Sequence, residues 1–195
     1  MKNNAGEKEF YEPIKRKLEE LIRKKFGEFY LEITADKQCS SELSSKMSYL
    51  PVIVQFFRHE LVPDITGYIK DKESTSLVDD LKKSALNNGE KHHLVIRCLP
   101  ETFDEAKQDF AFIVVEVKKE KIKLDDIYQI KKYSDLFKAG IAILVTLKEI
   151  PEEVKRLSKV IKKFLPHTDD EQLVIAHFNH QKCEFEEWFP GNPFK

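Results

Sequence analysis

The chain has 195 residues, enough for one packed domain and too few for two of ordinary size. Charged residues make up 34%, but 14 Phe, 6 Tyr and abundant Ile, Leu and Val exclude a disordered polymer. Basic residues number 33 against 34 acidic ones, which excludes a strongly basic nucleic-acid coat and leaves only a local basic face for such contacts.

The opening MKNNAGEKEF has no apolar segment of the kind a signal peptide needs. No apolar run in the chain approaches the roughly 20 residues that span a bilayer. Cys39, Cys98 and Cys183 are sparse and far apart, which fits a reducing compartment better than a disulfide framework. A cytoplasmic protein without membrane contact is therefore expected, with residues 1–195 as a single domain.

A helix is predicted over Glu9–Phe26, where Ile14, Leu18, Leu21 and Ile22 form one apolar stripe. Pro13 is placed near its start, where helical N–H groups lack partners, and Gly27 is its stop. Phe29, Leu31 and Ile33 alternate with polar residues and read as a strand. Residues 38–48 are serine-rich and read as a loop, and Tyr49–Phe57 is apolar without a clear period. Leu61–Lys70 reads as a strand in which Pro63 and Gly67 argue against a central position. Residues 71–109 are mostly polar, with a short helix over Leu77–Leu86 and a short strand over His93–Cys98.

Phe110–Val117 is a near-continuous β-branched and aromatic run, as in a strand buried on both faces. Asp125–Lys138 is helical and ends at Gly140; Ile141–Thr146 is a second buried strand. Glu152–Phe164 is an amphipathic helix, Leu173–Phe178 a third strand, and the remainder a tail rich in Phe and Pro. Strands alternating with helices imply parallel crossovers, so the fold class is α/β with a mixed central sheet flanked by helices.

Three features carry chemistry. Glu116 interrupts an apolar strand and shares a strand face with Lys118, two residues on. They lie at the C-terminal end of that strand, where open α/β sheets bind ligands. Asp64, after Pro63, is unfavourable in a strand by propensity. Gln129 and Tyr133 are four residues apart and share a helix face.

In this order, Asp64, Glu116-x-Lys118 and Gln129-x-x-x-Tyr133 resemble the PD-(D/E)xK nuclease superfamily, and the last motif resembles its RecB-like branch. The segment EKEFYEPIKRKLEE resembles the first helix of small members. The resemblance implies a restriction-endonuclease-like core, with 71–109 inserted between the motif strands. It implies a metal-dependent nuclease that hydrolyses phosphodiester bonds, most often in DNA, in defence, repair or recombination. Asp64, Glu116 and the Val117 carbonyl would hold Mg²⁺ or Mn²⁺, and Lys118 would act on water and phosphate. Gln129 and Tyr133 would support the site. Glu12, with Glu9 in reserve, would be the acid of the first helix. Asp109 is the alternative to Asp64, because the gap from Asp64 to Glu116 is long. A helicase or other protein subunit, or a homodimer, is implied for gripping DNA. The alternative is a nuclease-fold protein without turnover, serving as a nucleic-acid or protein binding module.

Lys119, Lys121, Lys123, Lys131 and Lys132 offer phosphate contacts, although any exposed helix face carries such runs. The aromatics mostly follow core periodicity and suggest no stacking platform. His177, His180 and Cys183 are zinc-ligand types, but no Cys-x-x-Cys accompanies them and His177 falls on a predicted strand. No phosphate-binding Gly-rich loop or nucleophile elbow is present.

Overall fold

The computed structural model describes residues 6–36, 39–47, 62–70, 110–137, 139–160, 167–168 and 171–195. The insertion expected over 71–109, the apolar stretch 49–57 and Asp109 lie outside the described residues. The elements are α1 (Lys8–Lys25), β1 (Phe29–Ile33), α2 (Ser41–Met47), β2 (Ile65–Lys70), β3 (Phe110–Lys118), α3 (Leu124–Phe137), β4 (Ala139–Thr146), α4 (Glu152–Val160), β5 (His167–Thr168), β6 (Glu171–Asn179) and β7 (Glu184–Phe189).

The strands form one mixed sheet in the order β1-β2-β3-β4-β6-β5, with β7 also paired to β6. β1, β2 and β3 are antiparallel, and β3, β4 and β6 are parallel. The α/β class with a mixed sheet flanked by helices is what the alternating pattern predicts.

Before Glu116, β3 is apolar because it is covered on both faces. Ile113, Val115 and Val117 pack with Tyr11, Ile14, Leu18 and Ile22 of α1. Phe112 and Val114 pack on the other face with Ile127, Ile130, Tyr133 and Phe137 of α3. Each such buried aliphatic side chain contributes about 1.5–3 kcal/mol relative to exposure. The β2–β3 ladder pairs Ile65 with Val115, so Asp64 and Glu116 occupy the next opposed positions, where the two strands part.

Five local expectations need correction. The serine-rich segment is partly helical, because α2 buries Leu43 and Met47 and Ser40 Oγ accepts the Leu43 N–H at 3.1 Å. The C-terminal tail contains β7, which pairs antiparallel with β6. Gly140 does not end α3 but lies within β4. Pro13 lies inside α1, beyond the first turn, so the Glu9 carbonyl lacks the N–H four residues on that would otherwise pair with it. Gly67 sits on a central strand after all. A Cβ there would lie 2.0 Å from the Tyr30 carbonyl oxygen and 2.9 Å from Leu31 Cα, so only glycine lets β1 close on β2. Gly27 ends α1 as expected, with φ at 89°.

Candidate functional site

The segment 62–64 is pinned before any side chain of the site acts. Thr34 and Ala35 donate their amides to the Asp64 carbonyl at 2.9 and 3.1 Å. Thr34 Oγ1 donates to the Pro63 carbonyl at 2.7 Å, and the Tyr133 hydroxyl donates to the Val62 carbonyl at 3.3 Å. The main chain that carries Asp64 is thus fixed from β1 and from α3.

The Asp64 carboxylate is held at both oxygens. Tyr11 Oη donates to Oδ1 at 2.9 Å, and the Val117 amide donates to Oδ2 at 2.7 Å. A strand residue's N–H and C=O point to the same edge, so the Val117 carbonyl lies on the edge that Asp64 occupies. Glu116 Oε1 accepts from Lys118 Nζ at 2.6 Å and from Gln129 Nε2 at 2.8 Å. Gln129 links onward, accepting from Lys118 Nζ at 3.3 Å and donating to Tyr133 Oη at 3.0 Å. Asp126 also pairs with Lys118, its Oδ1 at 3.8 Å from Nζ.

These contacts join Glu116, Lys118, Gln129 and Tyr133 in one hydrogen-bonded cluster, and Asp64, bonded to the Val117 amide between Glu116 and Lys118, acts on both through its charge. Asp64 and Glu116 are each 4% exposed. Burial raises the pKa of Glu116, the Asp64 charge raises it further, and Lys118 offsets only part of this. Burial also raises Asp64, against the lowering effect of the Val117 amide, the Tyr11 hydroxyl and Lys118. Burial works against the Lys118 ammonium, but Glu116, Asp126 and Asp64 outweigh it and raise its pKa. The cluster therefore sets two dry carboxylates against one ammonium and is short of positive charge.

Glu116 Oε2 is buried and accepts no hydrogen bond. A buried carboxylate oxygen left without a donor carries its full desolvation cost. Two carboxylates, an orphaned oxygen and a nearby backbone carbonyl fit a hard divalent cation that keeps some of its waters. No group of three or more His, Cys, Asp or Glu able to hold a metal occurs among the described residues.

The first-helix acids are placed otherwise. Glu12 is exposed and ion-paired to Arg16 Nε at 3.1 Å. Glu9 is exposed, with Oε1 3.9 Å from Lys119 Nζ. The acid that acts on the cluster from this end of the chain is Glu7, the residue before α1, which raises both Asp64 and Glu116 and accepts the Lys119 amide at 3.2 Å. Sequence reasoning missed Glu7, Tyr11 and Asp126. Tyr11 lies three residues before Ile14, so extending the apolar stripe by one turn would have found it.

Lys119, Lys121 and Lys123 follow directly on β3 and are exposed. Lys131 pairs with Asp135 at 3.3 Å, and Lys132 is exposed on α3. Tyr128, also on α3, is an exposed aromatic at 47%. His177 Nδ1 lies 3.8 Å from Glu186, the His180 ring packs edge-on to Phe10, and Cys183 Sγ contacts the His180 carbonyl at 3.5 Å. No helix among the described residues is long and apolar enough to cross a membrane.

No family model matches the chain, and no curated protein or solved structure is significantly similar to it.

Proposed function

We propose that the protein is a metal-dependent nuclease of the PD-(D/E)xK type, hydrolysing phosphodiester bonds, with DNA as the substrate. The observation that carries the reading is the charge-deficient cluster of Asp64, Glu116 and Lys118 with its orphaned Glu116 Oε2. Asp64, Glu116 and the Val117 carbonyl would hold Mg²⁺ or Mn²⁺. Such an ion, when bound, supplies Lewis acidity and lowers the pKa of a coordinated water.

The remaining chemistry belongs to the chain. Lys118 is held as an ammonium by Glu116 and Asp126, which suits it to stabilising phosphate charge and orienting water rather than abstracting a proton. Gln129 bridges Glu116 and Lys118 and fixes both side chains. Tyr133 anchors Gln129 and ties it to the Val62 carbonyl. Lys119, Lys121 and Lys123 flank the cluster and would track the substrate's phosphates.

The test is incubation of the full chain with supercoiled plasmid, linear duplex and single-stranded DNA, with Mg²⁺ or Mn²⁺ and with EDTA. Cleavage that needs the metal and stops with EDTA supports the reading. Binding without cleavage of any substrate transfers support to a binding module built on the same cluster.

A further inference from the structure

We infer that Tyr11 is a positioning residue of this site, its hydroxyl setting the rotation of the Asp64 carboxylate and thereby the affinity for the divalent cation. The inference rests on the metal-dependent reading above and adds a residue on α1 to it.

Tyr11 and Asp64 are 53 residues apart in sequence, yet Tyr11 Oη donates to Asp64 Oδ1 at 2.9 Å in a buried contact. Tyr11 is 2% exposed, and a buried tyrosine hydroxyl needs a partner such as this one. The main chain at Asp64 is already fixed by Thr34 and Ala35. What remains free is the side chain, through χ1 and the carboxylate torsion, the latter a broad and roughly two-fold rotor. One donor, the Val117 amide at 2.7 Å, fixes one oxygen and leaves that rotor soft. The second donor, from α1, fixes the other oxygen and removes the freedom. Each carboxylate oxygen has two lone pairs, so both keep one for a cation after accepting these bonds.

The arrangement also couples the helix to the site. Glu7, at the start of α1, accepts the Lys119 amide just beyond Lys118, while Tyr11, one turn on, holds Asp64. The docking of α1 therefore holds the Asp64 carboxylate and the main chain just after β3. Donors behind metal-binding carboxylates typically change metal affinity by about 10–100-fold when removed.

The experiment is Mn²⁺ titration of the full-length protein, followed by calorimetry or by the spin-resonance signal of free Mn²⁺. Wild type is compared with Tyr11→Phe and Tyr11→Met, each of which keeps apolar volume and lacks the hydroxyl. Both variants should fold cooperatively in EDTA and bind Mn²⁺ about 10–100-fold more weakly. In cleavage assays the Mn²⁺ concentration for half-maximal rate should rise, while the rate at saturating Mn²⁺ returns close to wild type. A purely structural role for Tyr11 would not give that rescue. Wild-type affinity in the variants, or their failure to fold, overturns the inference and leaves the nuclease reading standing. Absence of Mn²⁺ binding by wild type overturns both.

Discussion

The Lys118 ammonium lies 2.6 Å from Glu116 Oε1, two residues back on the same strand and on the same face. The contact is close, yet Glu116 is still driven toward protonation, because burial and Asp64 outweigh the single cation. The pair is thus an unfinished ion cluster rather than a closed salt bridge. Replacing one partner of a buried pair leaves the other uncompensated, and this asymmetry shapes the behaviour expected of the variants.

Stability should fall toward alkaline pH, and Glu116→Gln should remove much of that fall. Both Asp64 and Glu116 have pKa values raised in the fold, so the native state holds their protons more tightly than the unfolded chain. The resulting stabilisation is full below the ordinary carboxylate range and is lost as pH rises through the raised values. Urea unfolding of wild type and Glu116→Gln at about pH 5 and about pH 9 checks this. The variant should gain relative to wild type at the higher pH; a constant difference would contradict the electrostatic account.

Divalent cation should reverse the same deficit. Wild type should show a rise in Tm with Mg²⁺ or Mn²⁺, equivalent to about 2.7 kcal/mol at a hundred times Kd. Glu116→Gln should lose most of the rise, because a neutral amide is a poor ligand for a hard cation. Differential scanning fluorimetry at fixed ionic strength separates this from general salt effects; equal shifts for the two proteins would count against metal binding at Glu116.

Gly67→Ala should destabilise the fold by about 2–3 kcal/mol through overpacking. The added Cβ would collide with the backbone of β1 at Tyr30 and Leu31, which cannot swing away as a side-chain tip can. Equilibrium denaturation measures the loss. A neutral substitution would mean that β1 is not packed on β2 as described.

Legibility in the sequence followed burial. β3 was readable because both its faces are covered, and this same context made Glu116 conspicuous. The shared faces of Glu116 with Lys118 and of Gln129 with Tyr133 follow from strand and helix periods, and the structure joins all four side chains. α2 was not readable because only Leu43 and Met47 of its seven residues are buried, too few to set a period. β7 was hidden because its residues are at best half-buried along an outer strand, so Glu184, Glu186 and Glu187 mask the alternation. Gly140 looked like a helix stop, but its neighbours in β4 are buried on both sides and tertiary packing decides. Glu7 escaped notice because it precedes the apolar stripe, and its role depends on where α1 docks rather than on local pattern.

The most direct test of the central claim is DNA cleavage by Lys118→Ala beside wild type, in Mg²⁺ at one ionic strength. Removing a single donor that stabilises transition-state charge costs about 10²–10³ in rate. The account predicts that wild type cleaves, that EDTA stops it, and that Lys118→Ala loses at least about 100-fold while still binding DNA. Lys118→Ala cutting at the wild-type rate would contradict the assignment of this cluster as the catalytic centre.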